Sequence, residues 1–297
     1  MSYLSTKNPH PRDAHIHFDE GPHKYTIQGI NGVTAETEFT SVTTLIHQQF
    51  SHFDAKKVIA TMMRNEKKWN DPIANAKYYG KTAEEIEEMW SAAGRDASEK
   101  GTAMHYKIEC FYNTPPDDTP DTADTTDTTD TPSELQYFKN FHNEHVASPT
   151  TATLRPYRTE WTVFHEEARI AGSIDMVYEV IDPTPTDPTR RLWADTPLAI
   201  YDWKRCREIT KTNRANKFAT HPAIEHLPDT NYWHYALQLN LYKYILQTKY
   251  DKKITDLYII VLHPEAQNYQ RIKLPDLQSE VADLITERIR DIHAPRT

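Results

Sequence analysis

The chain has 297 residues, a formal net charge of -9, 38% hydrophobic and 11% aromatic residues, which is enough apolar material for one large domain or two small ones. It has no apolar run of about 18 residues and no signal-peptide pattern at its start, so it reads as soluble and unsecreted, with no membrane partner. Its two cysteines, Cys110 and Cys206, stand far apart and in no Cys-x-x-Cys pair. That excludes a disulfide framework, a zinc ribbon and a four-cysteine iron–sulfur cluster, and it suits a reducing compartment inside a cell.

Residues 1–22 are polar and carry His10, His15 and His17 among prolines, the pattern of a flexible start. A hairpin is expected from residues 23–27 and 38–40, with Asn31-Gly32 as the turn signal. Helices follow over 41–50 and 54–64, with Ser41 or Thr40 and then Asp54 as N-caps. Thr82-Ala-Glu-Glu85 reads as a capping box opening a helix towards Lys100, and a second helix covers 102–112. Residues 114–133 carry six Asp and no Lys or Arg. They hold much of the net charge and read as a disordered acidic insertion, which leaves room for a basic channel elsewhere. An amphipathic helix resumes over 133–145, so the insertion is a loop rather than a domain boundary.

From Tyr157 the period changes from helical to alternating. Residues 158–164 and 168–180 read as paired antiparallel strands, 182–196 as a loop and 198–204 as a strand. A helix over 231–250 places Leu237, Leu241, Tyr244 and Ile245 at core spacing. A strand over 254–262 and an amphipathic helix over 277–292 complete an α/β domain with a mixed central sheet flanked by helices, beside an N-terminal helical region.

Strand 198–204 ends in Asp202-Trp203-Lys204. Alternation puts Asp202 and Lys204 on one face, about 7 Å apart along the strand. Asp175, in Gly172-Ser-Ile-Asp175, converges on Asp202 if the two strands are neighbours. Two carboxylates with a backbone carbonyl, for which the Trp203 C=O is the candidate, suffice for Mg²⁺ together with water and a phosphate. His105 and Glu109 lie one helical turn apart, as do Gln238 and Tyr242, and Glu160 precedes Asp175 on the adjoining strand. Each feature has a plainer reading. These are a surface ion pair, a capped His–Glu pair, and polar positions on an amphipathic helix.

In order and spacing, Gly101-Thr-x-x-His105-x-x-x-Glu109, Glu160, Gly172-Ser-Ile-Asp175, Asp202-Trp-Lys204 and Gln238-x-x-x-Tyr242 resemble the RecB-like branch of the PD-(D/E)XK nuclease superfamily. That branch includes the mitochondrial genome-maintenance exonuclease and, more distantly, lambda exonuclease; stretches around Thr40 and Tyr232 are also similar to viral and phage members. The resemblance implies a restriction-endonuclease-like core over 101–297, with residues 23–100 as a hairpin and helical arch. It implies that Asp175 and Asp202 bind Mg²⁺ or Mn²⁺, that His105 completes the metal site, that Lys204 is the catalytic lysine, and that Gln238 and Tyr242 form the branch's Q-x-x-x-Y motif, with Glu160 supporting the site. The iron–sulfur cysteines of some members are absent. The implied activity is that of a metal-dependent DNA exonuclease acting in recombination, repair or replication on single strands or duplex ends. A structure-specific endonuclease, an RNA nuclease and an inactive nucleic-acid-binding member are the alternatives. The basic run after the strand (Arg205, Arg207, Lys211, Arg214, Lys217) reads as a phosphate track or as a solvated loop. Trp161, Trp203, Tyr232 and Trp233 read as base-stacking or core aromatics.

Overall fold

The computed structural model describes residues 2–115, 132–181, 196–213 and 215–294. Most of the acidic insertion, most of the loop at 182–196, and Arg214 therefore lie outside the described residues.

The chain is an α/β fold built on a mixed sheet. Strands β4 (Leu154–His165) and β5 (Ile170–Val180) form a long antiparallel hairpin. Strand β6 (Leu198–Lys204) pairs antiparallel with β5, β7 (Ile254–Val261) pairs parallel with β6, and β8 (Gln270–Lys273) closes the far edge antiparallel to β7. A parallel β6–β7 pair needs a crossover, and α7 (Asn231–Lys249) supplies it. The near-continuous apolar runs of β6 and β7 suit strands covered on both faces.

Alternate side chains of the sheet serve two cores. Val177 and Ile200 pack with α2 (Val42–His47), α7 and α8 (Gln278–His293). Met176, Tyr178, Tyr201 and Trp203 pack with Met104, Ile108, Phe138 and Phe141 from α5 (Ala83–Asn113) and α6 (Ser133–His142).

Strand β5 holds the feature that positions the site. β4 occupies one of its edges throughout. The other edge is shared by β3 (Thr40–Ser41), parallel at Ile170 and Ala171, and by β6, which pairs from Met176 to Glu179. Among the described residues, the stretch 172–175 between them has no strand partner on that edge.

Several expectations are corrected. The start of the chain is ordered: α1 (Tyr3–Lys7) buries Leu4, a 3-10 helix (Pro11–His15) follows, and β1 (Ile16–Asp19) begins the first ladder. The reason is that β4 presents two buried polar groups that need partners. Asp13 accepts from Arg158 Nη1 at 2.7 Å and from Trp161 Nε1 at 2.9 Å. The hairpin partner of β2 (Lys24–Ile27) is β1 rather than residues 38–40, and Phe18 stacks on Tyr25 at 4.6 Å. The Asn31-Gly32 turn lies outside that ladder. The two helices expected over 82–100 and 102–112 are one 31-residue helix, α5, opened by the Thr82–Glu85 capping box. Helix α6 stops at His142 and a π-helical turn covers Asn143–Ala147. Two short elements had no periodic signal: α4 (Glu66–Trp69), after α3 (Ala55–Met63), and β8. Among the described residues no helix is long and apolar enough to cross a membrane.

Candidate metal centre

The β5–β6 ladder ends at Met176 and Tyr201, so Asp175 and Asp202 stand opposite each other just beyond it. There Asp175 Oδ2 takes the Trp203 N–H at 2.9 Å. Alternation sends Trp203 into the core against Phe138 and Phe141, at ring separations of 5.5 and 5.7 Å. It sends Asp202 and Lys204 together to the other face, where Lys204 Nζ lies 2.5 Å from Asp202 Oδ2. That ammonium is the ionic partner of Asp202 Oδ2, a buried oxygen that makes no well-aligned hydrogen bond among the described residues.

Two further elements complete the group. Helix α5 brings in His105, and β4 brings in Glu160, whose φ of 42° puts it in the left-handed region at the position facing Asp175. Such a conformation costs about 1–3 kcal/mol in a non-glycine residue and persists where the surroundings enforce it. Here Ser173 Oγ donates to Glu160 Oε2 at 2.8 Å. One ligand atom from each of His105, Glu160 and Asp175 lies within 4.8 Å of the others. Asp202 stands beside this triad rather than within it.

The protonation pattern bears on what the group can hold. His105 Nε2 lies 2.8 Å from the Trp203 carbonyl, which only accepts, so Nε2 carries the proton. Nδ1, the other ring nitrogen, faces Asp175 Oδ2 at 3.4 Å. A ring that donates its far N–H to a backbone carbonyl is the usual posture of a metal-binding histidine. The same bond occupies the Trp203 carbonyl, the sequence's candidate metal ligand.

Burial, and then the Asp175 charge, push Glu160 up to about 7 and Asp202 up to about 6. Burial draws Lys204 down, but Asp202 and Asp175 outweigh it and hold the ammonium above the ordinary lysine range. Lys204 is therefore held as an ammonium by the two carboxylates beside it. Crowded buried carboxylates and an imidazole nitrogen form a donor set that fits a hard divalent cation.

Helix α7 buttresses the site. Gln238 Nε2 donates to Asp202 Oδ1 at 3.4 Å. One turn on, Tyr242 lies in the gap on β5, so close to Gly172 that a Cβ there would meet its Oη at 2.8 Å. Burial, with the Tyr25 and Asp175 charges behind it, holds the Tyr242 phenol far above its usual value.

The basic run of the sequence is partly committed elsewhere. Arg205 pairs with Glu134 at 2.6 Å and Arg207 with Glu265 at 3.1 Å. Lys211 lies over the Tyr232 ring at 4.6 Å, and Lys217 is exposed. Trp161, Trp203 and Tyr232 are buried core residues, not stacking platforms, and Trp233 Nε1 donates to the Lys211 carbonyl at 3.0 Å.

Two residues of this neighbourhood carried no assignment from sequence, and a third carried only a spacing. Ser173 had a signal, its i, i+2 relation to Asp175. Tyr25 had none; it comes from a distant hairpin, where burial and the Glu160 charge push its phenol up to about 12. Glu109 was paired with His105 only by spacing, and its carboxyl is raised by burial and by Glu20.

No family model matches the chain, and no curated protein matches it. Among solved structures, the crystal structure of SSO0001 is similar at 12% identity over 90% of this chain and 82% of that one, with a TM-score of 0.28, a likeness too loose to define the fold.

Proposed function

We propose that the chain is a metal-dependent DNA nuclease with a restriction-endonuclease-like core, and that it acts as an exonuclease of the RecB-like kind. One observation carries this reading. Asp175, Asp202 and Lys204 meet where the β5–β6 ladder ends, with His105 and Glu160 gathered against Asp175. A structural ion pair accounts for Lys204 and Asp202 but not for three further titratable groups, one of them on a strained backbone.

His105, Glu160, Asp175 and Asp202 would hold Mg²⁺ or Mn²⁺, which when bound would supply charge to the phosphodiester and a more acidic water. The remaining work falls to the chain's own groups. Lys204, as an ammonium, screens a non-bridging phosphate oxygen and aligns the attacking water. Gln238 orients the Asp202 carboxylate, and Tyr242 fixes β5 and with it the direction of Asp175. DNA turnover of this kind belongs to recombination, repair or replication.

The test is cleavage of end-labelled single-stranded and duplex DNA with Mg²⁺ or Mn²⁺ and with chelator, beside the same RNA strand and a covalently closed circle. The expected result is metal-dependent shortening from an end, lost in Lys204→Met while DNA binding persists. Wild-type cleavage by Lys204→Met, or full activity in chelator, defeats the assignment. Cutting of the closed circle identifies an endonuclease instead.

A further inference from the structure

Tyr235, Gln238 and Tyr242 share one face of α7 at helical spacing. Gln238 serves Asp202, and Tyr242 serves β5. Tyr235 serves the remaining element of the site, because Lys204 Nζ stands over its ring at 4.7 Å from the centroid. Lysines over rings are common at surfaces, and Lys7, Lys77, Lys211 and Lys273 stand over tyrosines while exposed. Lys204 differs in being largely withdrawn from water, its side chain only 17% exposed. The attraction between an ammonium and a ring face strengthens as water is removed. Burial, above all, holds the Tyr235 phenol above its ordinary value, so the ammonium meets a neutral ring rather than a phenolate.

Lys204 thus has two holders, and a cation in the site would treat them differently. Among the described residues its ion-pair partner is Asp202, at 2.5 Å. The nuclease reading gives that same carboxylate to Mg²⁺ or Mn²⁺. A divalent ion competes with the ammonium for the carboxylate and repels it as a like charge, so the ion pair weakens when the site is loaded. Hard divalent ions take oxygen ligands and leave a ring face alone. The Tyr235 ring therefore keeps its hold on the ammonium in the state in which the lysine has to act. The ring also lines a cavity of about 150 Å³ with Ile46, His47 and Gln238, so it is not packed on every side as a core filler would be.

We propose that Tyr235 is the positioning residue of Lys204, holding the ammonium on its ring face once a metal ion has drawn Asp202 away. The proposal rests on the nuclease reading and adds how the lysine stays aimed at the phosphate in the loaded site. The hydroxyl takes no part. What the site requires is an electron-rich face of this size at this place on α7, so phenylalanine serves and an aliphatic side chain does not.

The experiment uses the full chain and two readouts. In the first, isotope-labelled lysine is followed by NMR without DNA, in chelator and then in Mg²⁺, and the Lys204 ε-methylene signal is identified by its loss in Lys204→Arg. A methylene above a ring face resonates upfield of a free lysine. The signal should stay upfield in Mg²⁺ in the wild type and in Tyr235→Phe, and return to the free position in Tyr235→Leu. In the second, single-turnover cleavage of end-labelled DNA at saturating Mg²⁺ and DNA should slow at least about tenfold in Tyr235→Leu with little change in DNA affinity, and Tyr235→Phe should recover most of that loss. Phenylalanines carrying one, two or three ring fluorines at position 235 keep the size of the side chain while draining the ring face, so they decide the matter even where Tyr235→Leu folds poorly. The rate should fall step by step with fluorine number, whereas a ring needed only for packing would give equal rates. Equal rates across that series overturn the proposal, as does a wild-type Lys204 signal that moves to the free position in Mg²⁺, or a Tyr235→Phe as slow as Tyr235→Leu. A wild type that cuts no DNA removes the nuclease reading and this proposal together. A wild type that cuts, with fluorinated variants that cut equally fast, removes the proposal alone.

Discussion

Gly172→Ala changes one methyl group at the point where β5 meets α7. The added Cβ would lie 2.8 Å from Tyr242 Oη and Cε1 and 3.2 Å from Cζ. Unstrained carbon contacts sit at about 3.5–4.0 Å, so the ring or the strand must shift by more than half an ångström. Tyr242 is 3% exposed and packed among core residues of α7 and the sheet. Overpacking of this kind costs about 1–3 kcal/mol, which for a domain near this size lowers Tm by roughly 2–4 °C per kcal/mol. The assay is a urea midpoint at constant m-value, supported by calorimetry. Gly94→Ala is the contrast: on an exposed helical face with nothing within 4 Å, it should stabilise by about 1 kcal/mol. Tyr242→Phe should relieve the Gly172→Ala penalty in part, because Cε1 remains in the way, and Tyr242→Leu should relieve it more. A Gly172→Ala protein with the wild-type midpoint would refute the reasoning, since the clash would then be absorbed without cost.

Further outcomes follow from the same geometry. Lys204→Met should destabilise the protein by about 3–5 kcal/mol by leaving Asp202 buried and unpaired, and Lys204→Met/Asp202→Asn should recover most of it; equal midpoints for the single and double variants would contradict the pairing. Mn²⁺ at about a hundred times its Kd should add about 2.7 kcal/mol to unfolding stability, an increment that shrinks in Asp175→Asn, and an unchanged Tm in saturating Mn²⁺ would remove the metal centre. His165, held down at about 4 by burial and then by Lys249, takes up its proton in the unfolded chain from pH 6.5 downwards but in the folded chain only near pH 4. Its contribution is therefore complete above pH 6.5 and falls away between pH 6.5 and 4, by up to about 3 kcal/mol. The pH profile of His165→Asn should be flatter across that window, and parallel profiles would exclude the effect.

Local pattern made much of the sheet and both long C-terminal elements readable. Alternation alone placed Asp202 and Lys204 on one face and ended β6 at Lys204, because strand period is set by backbone geometry and needs no knowledge of neighbours. Helical spacing placed Gln238 and Tyr242 on one side of α7 for the same reason. The cluster of His105, Glu160 and Asp175 was less accessible. Glu160 reaches it through a left-handed φ that no periodic reading anticipates, and Asp175 meets Asp202 only because β5 and β6 are adjacent and their ladder stops one residue short.

Composition by itself determined that the chain could build a core, and residue order determined which side chains share a face. The tertiary structure decided which buried polar groups needed partners and where they found them. Asp13 ordered the start of the chain by satisfying Arg158 and Trp161, and Glu134 and Glu265 drew Arg205 and Arg207 into ion pairs. Among the described residues, packing also left 172–175 without a strand on the edge opposite β4, so that Tyr242 could enter the gap. The division has one physical cause: periodicity is a property of neighbouring residues, whereas the cost of an unpaired buried charge or donor is relieved by whichever group the fold brings near, at any distance along the chain.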